Sequence, residues 1–125
     1  MMIRRKPPIR ANAERDKIIR RGELAHASWI RRHSCAVDGC PARRVQWAHI
    51  RDGLPSDAKK GGWGMKPEAA WSVPLCVDHH LEQGQGEPAF NKAHNLIAKA
   101  EAYAKASPAL KRMKSELASL VPIPE

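Results

Sequence analysis

Two short spacings constrain this chain more than anything else in it: Cys35-x4-Cys40 and Cys76-x2-His79. Together they use every cysteine the sequence has, three in all. Zinc takes four tetrahedral ligands drawn from thiolate and imidazole, and two such pairs brought side by side supply a Cys3His set. The 35 residues between Cys40 and Cys76 can run out as a strand, turn through a loop and return. The odd cysteine count, with no apolar run behind the basic start, argues against a secretory disulfide framework. Three cysteines buried as small hydrophobes are the bland alternative. Their places beside turns, with Asp38-Gly39 inside the first pair, favour a metal. Cys35, Cys40, Cys76 and His79 are therefore the predicted ligands of a structural zinc.

Composition explains why a metal would help. Aromatic residues make up 5% of the 125 and prolines number ten, so the apolar core should be modest. The length suits one domain. We divide it into a flexible basic arm (1–8), a zinc-knuckle domain (9–107) and a C-terminal amphipathic helix with its tail (108–125). The net charge of +9 and pI near 10 favour a polyanionic partner, DNA first, held by counterion release. Arg43 and Arg44 beside the first cysteine pair belong to that surface. No stretch approaches the roughly 18 apolar residues of a membrane span, so a cytoplasmic protein with reduced thiols and no membrane partner is expected.

Helix formers dominate from about Ala11 to Arg21, Gly22 interrupts them, and a second helical piece runs from Leu24 to about Arg32. Trp29 and Ile30 should pack that piece on the metal core. Arg44 to Arg51 reads as a strand, with Val45, Trp47 and His49 on one side and Gln46, Ala48 and Ile50 on the other. Residues 51–68 are rich in glycine and proline and read as a long loop. A second strand, Trp71 to Leu75, ends at Cys76. Asp78 can cap a short helix holding His79 and His80, which Gly84 and Gly86 end quickly. Glu87-Pro88 opens the longest helix, with Phe90, Ala93, Leu96, Ile97, Ala100, Tyr103 and Ala104 as one stripe. Pro108 breaks it, and Leu110, Met113, Leu117 and Leu120 mark a last amphipathic helix, core by default or a dimer seam.

Two histidines remain beside the predicted zinc. Neighbours on a helix point about 100° apart, so His79 can face the zinc while His80 faces a cleft. His49 lies near the end of the first strand, and a histidine can accept a proton from water at neutral pH. His49 is the predicted general base and His80 the predicted ligand of a catalytic divalent ion, which would neutralise charge on a scissile phosphate. In the loop, Lys59, Lys60 and Lys66 with their neighbouring glycines can hold phosphate while Trp63 stacks or wedges. Alternatively, the glycines only turn the loop and Trp63 covers the small core.

The order Trp29-Ile-Arg-Arg-His-Ser-Cys35, Ala48-His49-Ile50, Gly61-Gly-Trp-Gly-Met-Lys-Pro67, Pro74-Leu-Cys-Val-Asp-His-His80 and Gly86-Glu87 before Phe90 resembles the Ref-like family of phage and prophage HNH nucleases. The resemblance covers roughly residues 26–95. It implies a ββα-metal (HNH, His-Me finger) core in which His49 activates water, His80 binds an ion such as Mg or Mn, and the Cys3His zinc sits beside them. It also implies 5′-phosphate and 3′-hydroxyl products and a RecA–DNA filament as a partner. Ala48 and Gly84 stand where such nucleases commonly carry further ligands, leaving His94, Gln83 or Glu82 to supply the missing contact.

The expected fold is thus α+β and mostly helical, a small zinc-stabilised ββα-metal core with flanking N- and C-terminal helices. The expected function is a metal-dependent HNH endonuclease acting on DNA in phage or prophage recombination. A non-catalytic, zinc-stabilised DNA-binding module is the alternative, and an adaptor working through the last helix a third. Oligomeric state is open.

Overall fold

The alternation read in Val45–His49 sets up a strand with two different faces, and the protein is layered on both of them. The computed structural model describes residues 9–54 and 70–120. In chain order these form α1 (Ile9–Ile30), β1 (Val45–His49), β2 (Ser72–Cys76), α2 (Val77–Gln85), α3 (Glu87–Ala93), α4 (Leu96–Ala106) and α5 (Pro108–Ala118). The architecture is α+β and mostly helical, with five helices and one two-stranded antiparallel sheet among the described residues. Register runs from Val45 opposite Cys76 to His49 opposite Ser72.

One sheet face carries Ala48, Val73 and Leu75, continued by Ile50 beyond the strand, all fully buried against Phe90, Leu96 and Ala100. Each large apolar side chain buried this way contributes roughly 1.5–3 kcal/mol. The other face presents Trp47, which packs against Ile18, Leu110 and Met113 of α1 and α5. The hairpin therefore sits between two helical layers. Ala36 N–H donates to Pro74 O at 2.8 Å, so the knuckle loop borders the free edge of β2.

Three sequence expectations are corrected. Gly22 does not interrupt α1, which runs unbroken for 22 residues. A Cβ at position 22 would lie 2.6 Å from Met113 Sδ and 2.7 Å from Met113 Cβ, so the glycine admits α5 rather than ending a helix. The long helix foreseen after Glu87 is two helices, parted at His94-Asn95, where Asn95 takes the left-handed conformation (φ 53°) that asparagine tolerates better than most. The stripe Phe90, Leu96, Ala100 survives in sequence because both segments bury it in one core. Asp78 does not cap α2 either. Cys76 holds that position without a side-chain bond, Asp78 lies in the first turn, and the helix runs through Gly84 to Gln85.

The break at Pro108 is present. Ser107 Oγ accepts from Leu110 N–H at 3.2 Å, an N-cap bond, with Pro108 in the first turn. The last helix uses its stripe as core, with Leu110 and Met113 buried against α1, while Leu120 beyond its end is exposed. Among the described residues no helix is long and apolar enough to cross a membrane. The arm 1–8 lies outside the described residues.

Candidate metal centre

The first cysteine pair is shaped by its turn. Cys40 N–H donates to Val37 O at 3.0 Å, and Gly39 between them has φ +84°, the positive value that this kind of turn requires at its third residue. Cys35 N–H donates to Ala42 O at 2.9 Å and closes the loop behind it. Lys99 of α4 then pins the tip, donating to Ala36 O at 2.7 Å and to Asp38 Oδ1 at 2.9 Å. The second pair comes from the end of β2 and the first turn of α2. Antiparallel return of β2 beside the knuckle brings the two pairs together.

The ligand atoms of Cys35, Cys40, Cys76 and His79 all lie within 4.8 Å of one another. His79 Nδ1 is 3.4 Å from Cys35 Sγ and 3.2 Å from Cys76 Sγ. A zinc tetrahedron with its usual bond lengths has S···N edges of roughly 3.5 Å, so the observed separations fit. These four residues form a Cys3His group that could hold a structural metal ion such as zinc. Burial pushes the Cys35 thiol up, whereas the Ala42 amide beside Cys40 pulls that thiol down. Cys76 N–H also points at Cys35 Sγ, 3.4 Å away, a contact that suits a thiolate. A bound divalent cation would hold all three sulfurs deprotonated.

His80, one residue on, is not part of this cluster and turns to β1 instead. Its Nδ1 lies 2.6 Å from Gln46 Oε1 across on β1. His49 occupies the other end of that strand, roughly 13 Å along from Val45, and on the side of Trp47. The two rings meet edge to face with centroids 4.5 Å apart, and His49 Nε2 is shielded from solvent. Gln46 and His49 have opposite parity in β1, so β1 does not itself turn His49 toward His80. His94 sits beside the Cys3His group, its ring 4.5 Å from Phe90 and 6.2 Å from His79. Gln83 is buried with its amide donating to Asn91 Oδ1 at 3.1 Å, and Glu82 is exposed.

Arg43 and Arg44 are exposed just before β1. Lys59, Lys60, Trp63 and Lys66 lie outside the described residues.

Three supports were not foreseen. Gln46 orients His80; it is the one polar residue on the otherwise apolar face of β1, and that oddity was a readable signal. Lys99 had no local signal, because its partners are about sixty residues away. The third is a carboxylate clamp on the chain leaving β1: Glu87 Oε2 accepts from Arg51 N–H (2.5 Å), Asp52 N–H (3.0 Å) and Asn91 Nδ2 (3.1 Å). No protein-family model, characterised protein or solved structure matches the chain.

Proposed function

We propose that this chain is a metal-dependent endonuclease of the HNH type that hydrolyses DNA phosphodiester bonds. One observation carries the reading: the 2.6 Å bond between His80 Nδ1 and Gln46 Oε1 inside a β1–β2–α2 unit. A carboxamide oxygen only accepts, so in the tautomer that this contact suits Nδ1 donates, and Nε2 is the nitrogen left to bind an ion. Metal-ligating histidines are commonly fixed by just such an outer hydrogen bond. His80 Nε2 would hold the catalytic ion, with the Cys3His zinc bracing the strand and helix that position it. The order of hairpin then helix is the one a ββα-metal core requires.

A divalent ion such as Mg or Mn, when bound, neutralises charge on the scissile phosphate and on the leaving oxygen. His49 takes a proton from water as the water oxygen bonds to phosphorus. The bond to the 3′ oxygen breaks, that oxygen takes a proton from a second water, His49 gives its proton up to solvent, and the products are a 5′-phosphate and a 3′-hydroxyl. By the resemblance given above, the setting is phage or prophage recombination, with a RecA–DNA filament as partner.

A second reading has its own observation. His49 packs edge-on against Trp47 with Nε2 shielded, on the strand face opposite Gln46. That placement favours a zinc-stabilised DNA-binding module without catalysis. Plasmid nicking with added Mg²⁺ or Mn²⁺ separates the two. The nuclease reading expects wild-type cleavage, and losses of a hundredfold or more in His49→Ala and in His80→Ala, each with zinc and DNA affinity retained. Cleavage by wild type that does not exceed His49→Ala with any divalent ion leaves the binding module.

A further inference from the structure

Charge is distributed unevenly between the two helical layers. Residues 13–32 and 108–118, which form most of α1, the two residues after it and α5, hold nine lysines and arginines against four carboxylates. Residues 70–106, around β2 and α2–α4, hold three against four. The excess positive charge of the described protein therefore lies on the α1–α5 layer.

Within that layer the two helices leave a cleft of about 570 Å³, lined by Arg21, Trp29, Arg32, Arg112, Met113 and Glu116 among others. Arg21 meets Glu116 at 3.5 Å, both side chains substantially exposed (62% and 38%), so water screens the pair. Arg32 and Arg112 have no carboxylate partner among the described residues. Three guanidiniums and one carboxylate thus converge on a recess with an indole and a thioether in its wall. Guanidiniums left unpaired at a concave site match phosphate oxygens in a forked, two-bond geometry. α1 is about 33 Å long, the axial rise of roughly ten base pairs, and it carries Arg15, Lys17 and Arg20 beyond the cleft. That length suits an extended polyanion better than a lone anion.

We propose that the α1–α5 cleft is a nucleic-acid backbone site, in which Arg32 and Arg112 engage phosphates of the DNA duplex and Arg21, oriented by Glu116, flanks them. It deepens the nucleic-acid reading above but does not depend on hydrolysis. The site lies on the layer facing Trp47, so DNA held there extends the footprint beyond Arg43 and Arg44 at the knuckle.

Equilibrium binding of a 20-base-pair duplex without added Mg²⁺ or Mn²⁺, followed across salt concentration, tests it. Each phosphate contact on duplex contributes about −0.9 to the log–log slope. Arg32→Ala/Arg112→Ala should shallow the slope by roughly 2 and weaken binding at least tenfold at moderate salt. Lys92→Ala/Lys105→Ala, which removes the same charge from α3 and α4, should stay within twofold of wild type. Zinc content and melting temperature verify that each variant is folded. Equal losses in the two double variants would reduce the cleft to bulk charge and overturn the site. Saturable binding of inorganic phosphate that displaces the duplex and vanishes in Arg32→Ala/Arg112→Ala would overturn it in favour of a small-anion pocket. Wild-type binding and cleavage with an unchanged slope in the arginine variant would remove this site alone, whereas cleavage that survives His49→Ala would remove the nuclease reading alone.

Discussion

The α1–α5 layer and the knuckle–hairpin half solve the same shortage of apolar residues in different ways. The helical layer relies on close approach. Gly22 lets α5 settle directly onto α1, burying Ile18, Leu110 and Met113 with few large side chains spent. The hairpin half adds cross-links to its apolar core. Its strands are five residues each, too little for a free hairpin to persist in water. They are tied by Lys99 at the knuckle and by Glu87 on the chain leaving β1, and four convergent side chains there could add a metal ion. One half is held by packing, which a chelator leaves in place; the other carries a Cys3His group that could hold a metal ion, which a chelator would remove.

The largest effect that could break this contrast comes from the metal. Structural zinc in small domains is worth on the order of 10 kcal/mol of apparent binding energy, comparable with the whole stability of a domain this size. Cys76→Ser, or chelation of the wild type, should release about one zinc per chain and abolish the cooperative melt. Amides of β1 and β2 should lose hydrogen-exchange protection first, before those of α1. A chelated protein that melts within a few degrees of the untreated one would show the Cys3His group to be no structural metal site.

A middle-sized effect sharpens the contrast from the other half. His26 is fully buried at the junction of α1 and α5, with Nδ1 2.8 Å from Ser107 Oγ, and burial lowers its pKa from 6.5 to about 4. Between those values the unfolded chain takes up a proton that the folded one refuses. Stability is therefore full above pH 6.5 and falls as pH drops toward 4, by about 3 kcal/mol in all. Zinc ligands protonate in acid too, so the readout is a difference. Wild type minus His26→Gln, each followed by urea unfolding from pH 7 to 4.5, should isolate a slope that belongs to His26. Parallel pH profiles for the two proteins would remove His26 as an acid-sensitive point of the packed layer.

The two halves also differed in how much of them could be read beforehand. The Cys3His set was legible because ligand spacing is local and all three cysteines had to be accounted for. The hairpin was legible because Ala48, Ile50, Val73 and Leu75 alternate with period two. His80's turn away from His79 followed from helix geometry alone. What was hidden depended on partners distant in sequence. Lys99 has no neighbour in the chain that announces Asp38 or the Ala36 carbonyl as its target. The left-handed residue at Asn95 interrupts a stripe whose apolar spacing continues undisturbed on both sides, so periodicity could not see the bend. Gly22 misleads for the opposite reason. Glycine is a poor helix former, and only the presence of Met113 against it explains why one stands in the middle of a 22-residue helix.

That explanation yields the smallest and sharpest effect. On an exposed helix, glycine to alanine gains roughly 1 kcal/mol. At position 22 the added methyl group would fall 2.6–2.7 Å from Met113 Sδ, Cγ and Cβ. The sulfur can swing aside, but Met113 Cβ moves only with the backbone of α5, so overpacking should outweigh the propensity gain. Gly22→Ala is expected to destabilise by about 1–2 kcal/mol, measured by urea unfolding of the zinc-loaded protein. Met113→Ala will itself cost stability by opening a cavity, yet it removes the atoms that the new methyl group would strike. Added to that background, Gly22→Ala should become neutral or stabilising, a coupling of 1 kcal/mol or more between residues on α1 and α5. If Gly22→Ala stabilises the wild type outright, the two helices have room to spare. The close approach would then not be what holds the packed half together.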